Sequence, residues 1–197
     1  MLINTQFILA SSSKSRYNIL NQLKLNFLTI NPVCDEELIK KNLKKNKAFQ
    51  VAKILAKAKA QSVSQTQPNK TVVGCDTILV FQNKIINKAK NIKEATLKIK
   101  KLSGKKHKII SAISICKNNK QLWSCHQTSF ITLRKLTKKD IDYYLKKTGN
   151  QVLNSVGCYQ VELMGPTIIE NIKGDFFNVM GFPLFPFLKF IKTKELH

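Results

Sequence analysis

Arginine is nearly missing from this chain. Arg16 and Arg134 are its only two, although Lys and Arg together number 34 against 11 Asp and Glu, for a net charge of +23. Nucleic-acid readers lean on the forked guanidinium for bidentate contacts, so a coat made almost wholly of lysine reads as a solvated surface, and no dedicated nucleic-acid partner is expected. Zinc-finger, RNP, KH and helix-turn-helix signatures are missing too. The five cysteines (Cys34, Cys75, Cys116, Cys125, Cys158) form an odd set with no CxxC, which argues against a disulfide framework or a zinc site. They predict free thiols in a reducing, cytoplasmic compartment. The histidines His107, His126 and His197 lack ligand spacing, and His107 reads as structural, leading into a strand. No apolar run approaches a membrane span, the opening MLINTQFILASSS lacks the basic segment of a signal peptide, and no GxxxxGK[ST] is present, which excludes a P-loop.

What is present suits one folded domain over 1–197: 43% of residues are apolar, spread along the chain without an internal repeat or low-complexity linker. QFILAS predicts a buried first strand, and 14–24 a short helix with Tyr17, Leu20 and Leu23 on one stripe. A loop containing NPVCDEE follows. Residues 47–63 give the clearest helix, with Ala48, Val51, Ala52, Leu55 and Ala58 on a shared face and the lysines largely off it. TVVGCDTILVF (71–81) is a strand apolar on both faces, turning through Gln82 and Asn83 into KIIN. A helix over 91–101 precedes a hairpin, HKIISAISIC and QLWSCHQTSFITL about the turn KNNK. Thr137 caps the next helix, with Asp140 three positions on. The end reads as an alternating VGCYQVEL, a short helix TIIENI, a loop KGDFFNVMGFPL and a last helix opened near Pro183. The expected fold class is α/β: a mixed sheet flanked by helices in a two-lobed single domain.

Four stretches carry chemistry. FILASSSKSRYNIL runs from a strand through three serines into a helix N-terminus, an arrangement that offers amides, hydroxyls and a helix dipole to an anion; Ser13 alone would also serve as an ordinary N-cap. Arg16, in the first turn, can fork onto two phosphate oxygens. In VVGCDTILVF, Asp76 is a carboxylate within an apolar strand, costly unless a cation or hydrogen bonds accompany it. It suits a general base or a metal ligand. The trio Asp35, Glu36 and Glu37 is either a hard-cation corner or a solvated helix start. KGDFFNVMGFPL, with Asp175 and Asn178 amid aromatics, is a pocket-lining loop or core closure by Phe176, Phe177 and Phe182.

Taken in order, these stretches resemble the Maf family of nucleoside triphosphate pyrophosphatases. ILASSSKSRYNIL is similar to its opening LAS-S-S-P-R-R turn, CDEE to its acidic loop, LAKAKAQSV to its A-x-x-K-A helix and VVGCDTILVF to its G-x-D-T strand. INKAK, LSGKKHKIISAISI and GCYQVELMGPTIIENIKGDFFNVMGFPL resemble its KP, LSG-x-x-H and closing motifs. The resemblance implies the fold of inosine triphosphate pyrophosphatases, homodimer assembly and a divalent metal cofactor (Mg or Mn). The reaction it implies is cleavage of a nucleoside triphosphate between the α and β phosphates to a monophosphate and pyrophosphate. It carries the catalytic proton acceptor to Asp76, phosphate binding to Ser13, Arg16, Lys59 and Lys88, the metal to Glu36, and base choice to Ser15, Thr77 and Glu162. The chain departs from the family pattern at Lys14 and Ser15, where Pro and Arg are usual, after Lys88, where Pro is missing, and at Glu162, where one branch has Gln. Base preference is therefore left open. Two alternatives remain: a nucleic-acid-binding protein driven by charge, and a catalytically degenerate relative acting in cell-division control.

Overall fold

Three long strands, each ten residues or more, organise the molecule. In this computed structural model, which describes residues 6–43 and 46–193, they are β3 (Val72–Phe81), β5 (Lys106–Lys117) and β6 (Lys120–Leu133). β1 (Phe7–Ala10), β2 (Phe27–Ile30), β4 (Lys84–Ile86) and β7 (Ile169–Lys173) complete a seven-stranded sheet of order β2-β1-β3-β5-β6-β7, with β4 paired to β3. β1 runs parallel to both β2 and β3, whereas β3–β4 and β6–β7 are antiparallel, so the sheet is mixed. Seven helices accompany it: α1 (Lys14–Gln22), α2 (Glu36–Asn42), α3 (Ala48–Ser64), α4 (Ile92–Leu102), α5 (Lys138–Thr148), α6 (Phe176–Met180) and α7 (Leu184–Thr193). Among the described residues no helix is long and apolar enough to cross a membrane, and all five cysteines are free.

Two two-residue turns close hairpins in the way their residues demand. Gln82 and Asn83 (φ 50 and 60) join β3 to β4, and Asn118 and Asn119 (φ 50 and 61) join β5 to β6. Positive φ at both central positions matches the twist of paired strands, and Asn tolerates it. The capping box at α5 forms as its spacing predicts: Thr137 N donates to Asp140 Oδ2 at 2.7 Å and Asp140 N to Thr137 Oγ1 at 3.2 Å.

The described residues fall into two compact units. The first lies within Met1–Thr77, Ser111–Gln127 and Gly181–His197, the second within Ile78–Ile110 and Thr128–Met180. In the first, Ile8 and Ala10 of β1 pack with Ala60 and Val63 of α3, while Phe7 packs edge-on against Phe187 of α7, so the strand is covered on both faces. In the second, one large core gathers Leu79, Phe81, Ile99, Ile131, Leu133 and Tyr144 between the sheet and α4 and α5.

Four local expectations are corrected. The loop after the first helix contains β2, a four-residue edge strand with Leu28 exposed, too short and too open to show a clear pattern; Phe27 stacks on Phe7 at 5.6 Å. TIIENI is mostly strand β7, because pairing with β6 outweighs an isoleucine spacing that also fits a helix. VGCYQVEL is a turn with Cys158 at φ 58, not an alternating strand, although Tyr159 and Val161 are buried. KGDFFNVMGFPL contains α6, opened by Asp175 Oδ1 accepting from Asn178 N at 2.6 Å.

Candidate functional site

Register decides where the serine turn lies. Ala10 pairs with Gly74, so Ser11 to Ser13 leave the sheet level with Cys75, Asp76 and Thr77 of β3. Ser13 caps α1, its Oγ accepting from Arg16 N at 3.4 Å, and Ser13 N donates to Ser11 Oγ at 3.2 Å. The first turn of α1 carries no acid to neutralise the partial positive charge of its amides.

Arg16 folds back under this turn. Its Nη1 donates to Ser11 Oγ at 3.1 Å, Nε to the Gly181 carbonyl at 2.9 Å and Nη2 to Thr77 Oγ1 at 3.0 Å. The residue is 8% exposed, and among the described residues no carboxylate pairs with it. A buried charge is stable when an opposite charge compensates it. Neutral acceptors hold this guanidinium in place and leave its charge for an anion to balance. The stripe expected through Tyr17, Leu20 and Leu23 is rotated accordingly: Arg16, Ile19 and Leu20 face inward, while Tyr17 and Leu23 are exposed.

Strand alternation sends Asp76 to the other side of β3, toward α3. A close approach of helix and strand makes this possible. A Cβ on Gly74 would lie 2.3 Å from the Ala56 carbonyl and 2.5 Å from Ala60 N, so only glycine lets α3 settle there. One helical position before Ala60, Lys59 extends its Nζ to Asp76 Oδ1 at 2.7 Å and to Glu36 Oε1 at 2.8 Å. Lys59 thus belongs to the buried face of α3, contrary to the expectation that the lysines keep off it, and it is tolerated there because two carboxylates meet it. Burial works against its ammonium and Arg16 repels it. Asp76 and Glu36 outweigh both, and the Lys59 pKa ends above its ordinary value.

Asp76 is 5% exposed, and its Oδ2 has no hydrogen-bond partner. Glu36 arrives on α2, whose N-terminus Asp35 caps by accepting from Leu38 N at 2.9 Å. The Glu36 side chain is 40% exposed, so the cluster opens to solvent on that side. Lys40 lies 3.8 Å from Glu36 and 3.9 Å from Glu37, surface pairs of little energetic weight.

Of the residues singled out from sequence, Ser13, Arg16, Thr77, Glu36, Lys59 and Asp76 are therefore assembled within the first unit. Ser15 lies half-buried on α1 of the same unit. Lys88, exposed on the segment after β4, and Glu162, half-buried in a turn, belong to the second unit. Sequence reasoning missed two members of the Arg16 network. Ser111, fully buried on β5, hydrogen-bonds Thr77 Oγ1 at 2.9 Å; a serine amid β-branched residues gave no signal beyond its polarity. Gly181, at φ 103, contributes its carbonyl, and a backbone oxygen gives no sequence signal of its partner.

The first unit thus carries a buried guanidinium under a serine turn and, on the opposite side of the same strand, a lysine-bridged acid pair, in a mixed α/β fold. The profile of the Maf-like protein family matches residues 6–194, and the chain belongs to that family. It is 39% identical over 189 residues to the 7-methyl-GTP pyrophosphatase of Bartonella quintana, covering 96% of this chain and 94% of that one. It is 33% identical to the nucleoside triphosphate pyrophosphatase of Rhodopseudomonas palustris, over 96% and 94% of the two chains. It is also 35% identical to the enzyme of that name from Legionella pneumophila (strain Corby), over 91% and 88%.

Proposed function

We propose that this chain is a nucleoside triphosphate pyrophosphatase, hydrolysing the bond between the α and β phosphates to give a nucleoside monophosphate and pyrophosphate. The observation that carries the reading is the Asp76 carboxylate, held at Oδ1 by Lys59 and unsatisfied at Oδ2, in the same unit as the Arg16 guanidinium, which no carboxylate among the described residues balances. The family and the names of its relatives support the same reaction. Nothing favours the nucleic-acid-binding or degenerate alternatives.

A triphosphate brings several negative charges, and hydrolysis gathers more on the leaving oxygen. Ser13, the amides of the α1 N-terminus and Arg16 receive that charge on one side, and Lys59 on the other. Asp76 Oδ2 accepts the proton of the attacking water, while the Lys59 hydrogen bond fixes the carboxylate plane. By the family resemblance Lys88 counts among the phosphate-binding residues, and Ser15, Thr77 and Glu162 bear on base choice.

Among the described residues no group of three or more His, Cys, Asp or Glu could by itself enclose a metal. The donor set still fits a hard divalent cation, since Mg is commonly held by one or two carboxylates with the substrate's phosphates and water. Glu36, part-exposed and oxygen-only, is the residue that would hold it. Mg or Mn bound there supplies Lewis-acid polarisation of phosphate oxygens. A cytoplasmic setting and a homodimer belong to the same proposal.

The test is a panel of purine and pyrimidine triphosphates, including 7-methyl-GTP, assayed for pyrophosphate with Mg or Mn. Release of pyrophosphate from at least one is expected. Turnover of none, or release of orthophosphate alone, would defeat the reading.

A further inference from the structure

The Thr77 hydroxyl lies where a buried cation, a carbonyl and a second hydroxyl meet. Arg16 Nη2 is 3.0 Å from its oxygen, Ser111 Oγ 2.9 Å and the Gly181 carbonyl 3.4 Å. A guanidinium can only donate, and a carbonyl can only accept. Thr77 Oγ1 therefore accepts from Arg16 Nη2, and its own proton has two acceptors within reach, the Gly181 carbonyl and Ser111 Oγ. The Gly181 carbonyl accepts from Arg16 Nε.

Gly181 closes the arrangement from outside. At φ 103 its backbone favours glycine, and a Cβ there would stand 3.0 Å from Thr77 Oγ1 and 3.6 Å from both Arg16 Nε and Nη2. The guanidinium plane is thus fixed by three acceptors from three separated parts of the chain, Ser11, Thr77 and Gly181. None of the three is charged, so they orient Arg16 without neutralising it.

We infer that Thr77 and Ser111 are positioning residues that aim the Arg16 guanidinium at the polyphosphate. The inference deepens the proposed function and rests on it in one respect, that the anion received by Arg16 is a polyphosphate.

Two measurements test this on the full chain: calorimetric binding of inorganic tripolyphosphate, which has no base, and steady-state kinetics with one purine and one pyrimidine triphosphate. Thr77→Val, which removes the acceptor, is expected to weaken tripolyphosphate binding about tenfold or more. It should raise KM for both nucleotides and change kcat less. Thr77→Ser restores the hydroxyl and should return both readouts to within about twofold of wild type, and Ser111→Ala should fall between, at about threefold. Wild-type affinity of Thr77→Val for tripolyphosphate overturns the inference. If circular dichroism shows Thr77→Val unfolded, Ser111→Ala decides: undiminished tripolyphosphate affinity overturns it. A wild-type protein that binds tripolyphosphate through Thr77 yet hydrolyses no nucleotide would defeat the proposed function and leave this inference standing.

Discussion

Two buried polar clusters in this protein meet the same problem and resolve it in opposite ways. In the second unit His107, 2% exposed, hydrogen-bonds the Tyr159 hydroxyl and has no charged partner there; burial drives its pKa down to about 4, so it stays neutral. In the first unit Lys59, 8% exposed, suffers the same burial penalty but meets Asp76 and Glu36, and its pKa rises. Desolvation alone removes charge, and a countercharge at hydrogen-bond distance restores it. The first cluster is a structural plug. The second gathers a lysine and two carboxyl side chains and leaves one buried Asp76 oxygen without a hydrogen bond, a condition worth its energetic cost where an incoming molecule uses it.

The sharpest way to break this contrast is Asp76→Asn. Asparagine keeps an acceptor for Lys59 but cannot take a proton at the second position, so pyrophosphate release should fall by about 10²–10⁴-fold with an unchanged circular dichroism spectrum. Near-normal turnover would return Asp76 to the status of a structural residue like His107. Lys59→Met asks the complementary question. Two carboxylates would lose their shared cation, and breaking a buried pair in this way costs about 3–5 kcal/mol, visible as a lowered denaturation midpoint. An unchanged midpoint would mean that solvent already screens the cluster.

A smaller effect separates the clusters by pH. Below pH 6.5 the unfolded chain protonates His107, whereas the folded chain resists until about pH 4. The unfolded state therefore binds more protons in that window, and stability must fall as the pH drops. His107 contributes about 2 kcal/mol of this loss between pH 6.5 and 5. Lys59, raised above its ordinary value, contributes stability that is lost only at alkaline pH, as the pH rises through its folded pKa. Urea unfolding of wild type and His107→Gln across this range should show the flatter acid slope in the variant. Equal slopes would sink the assignment of a buried neutral histidine.

Most of the fold was legible because long elements carry redundant signals. β3, α3, the β5–β6 hairpin and capped α5 each combine periodicity with a turn or cap residue. β2 and β7 were not, because a strand of four or five residues has too few positions for a period, and pairing with β1 or β6 supplies the stability that its own sequence does not. The site divides in the same manner. Asp76 stood out as a charge in an apolar strand, Arg16 as a guanidinium in the helical turn after three serines and Glu36 within an acidic trio, and the motif resemblance added Lys59. Ser111 and the Gly181 carbonyl stayed hidden, since a serine on a strand and a backbone oxygen carry no mark of their partners.

By itself, then, the order of residues determined a mixed α/β chain with free thiols, a lysine coat and a family identity, because composition and local periodicity are properties of the chain alone. Only tertiary structure decided that Asp76 faces α3 while Thr77 faces Arg16, that Gly74 admits Lys59 to the acid pair, and that Gly181 turns its carbonyl on Arg16. The physical reason is distance: Arg16 and Gly181 lie 165 positions apart in sequence and 2.9 Å apart in the fold, and such an encounter depends on strand register and helix packing together.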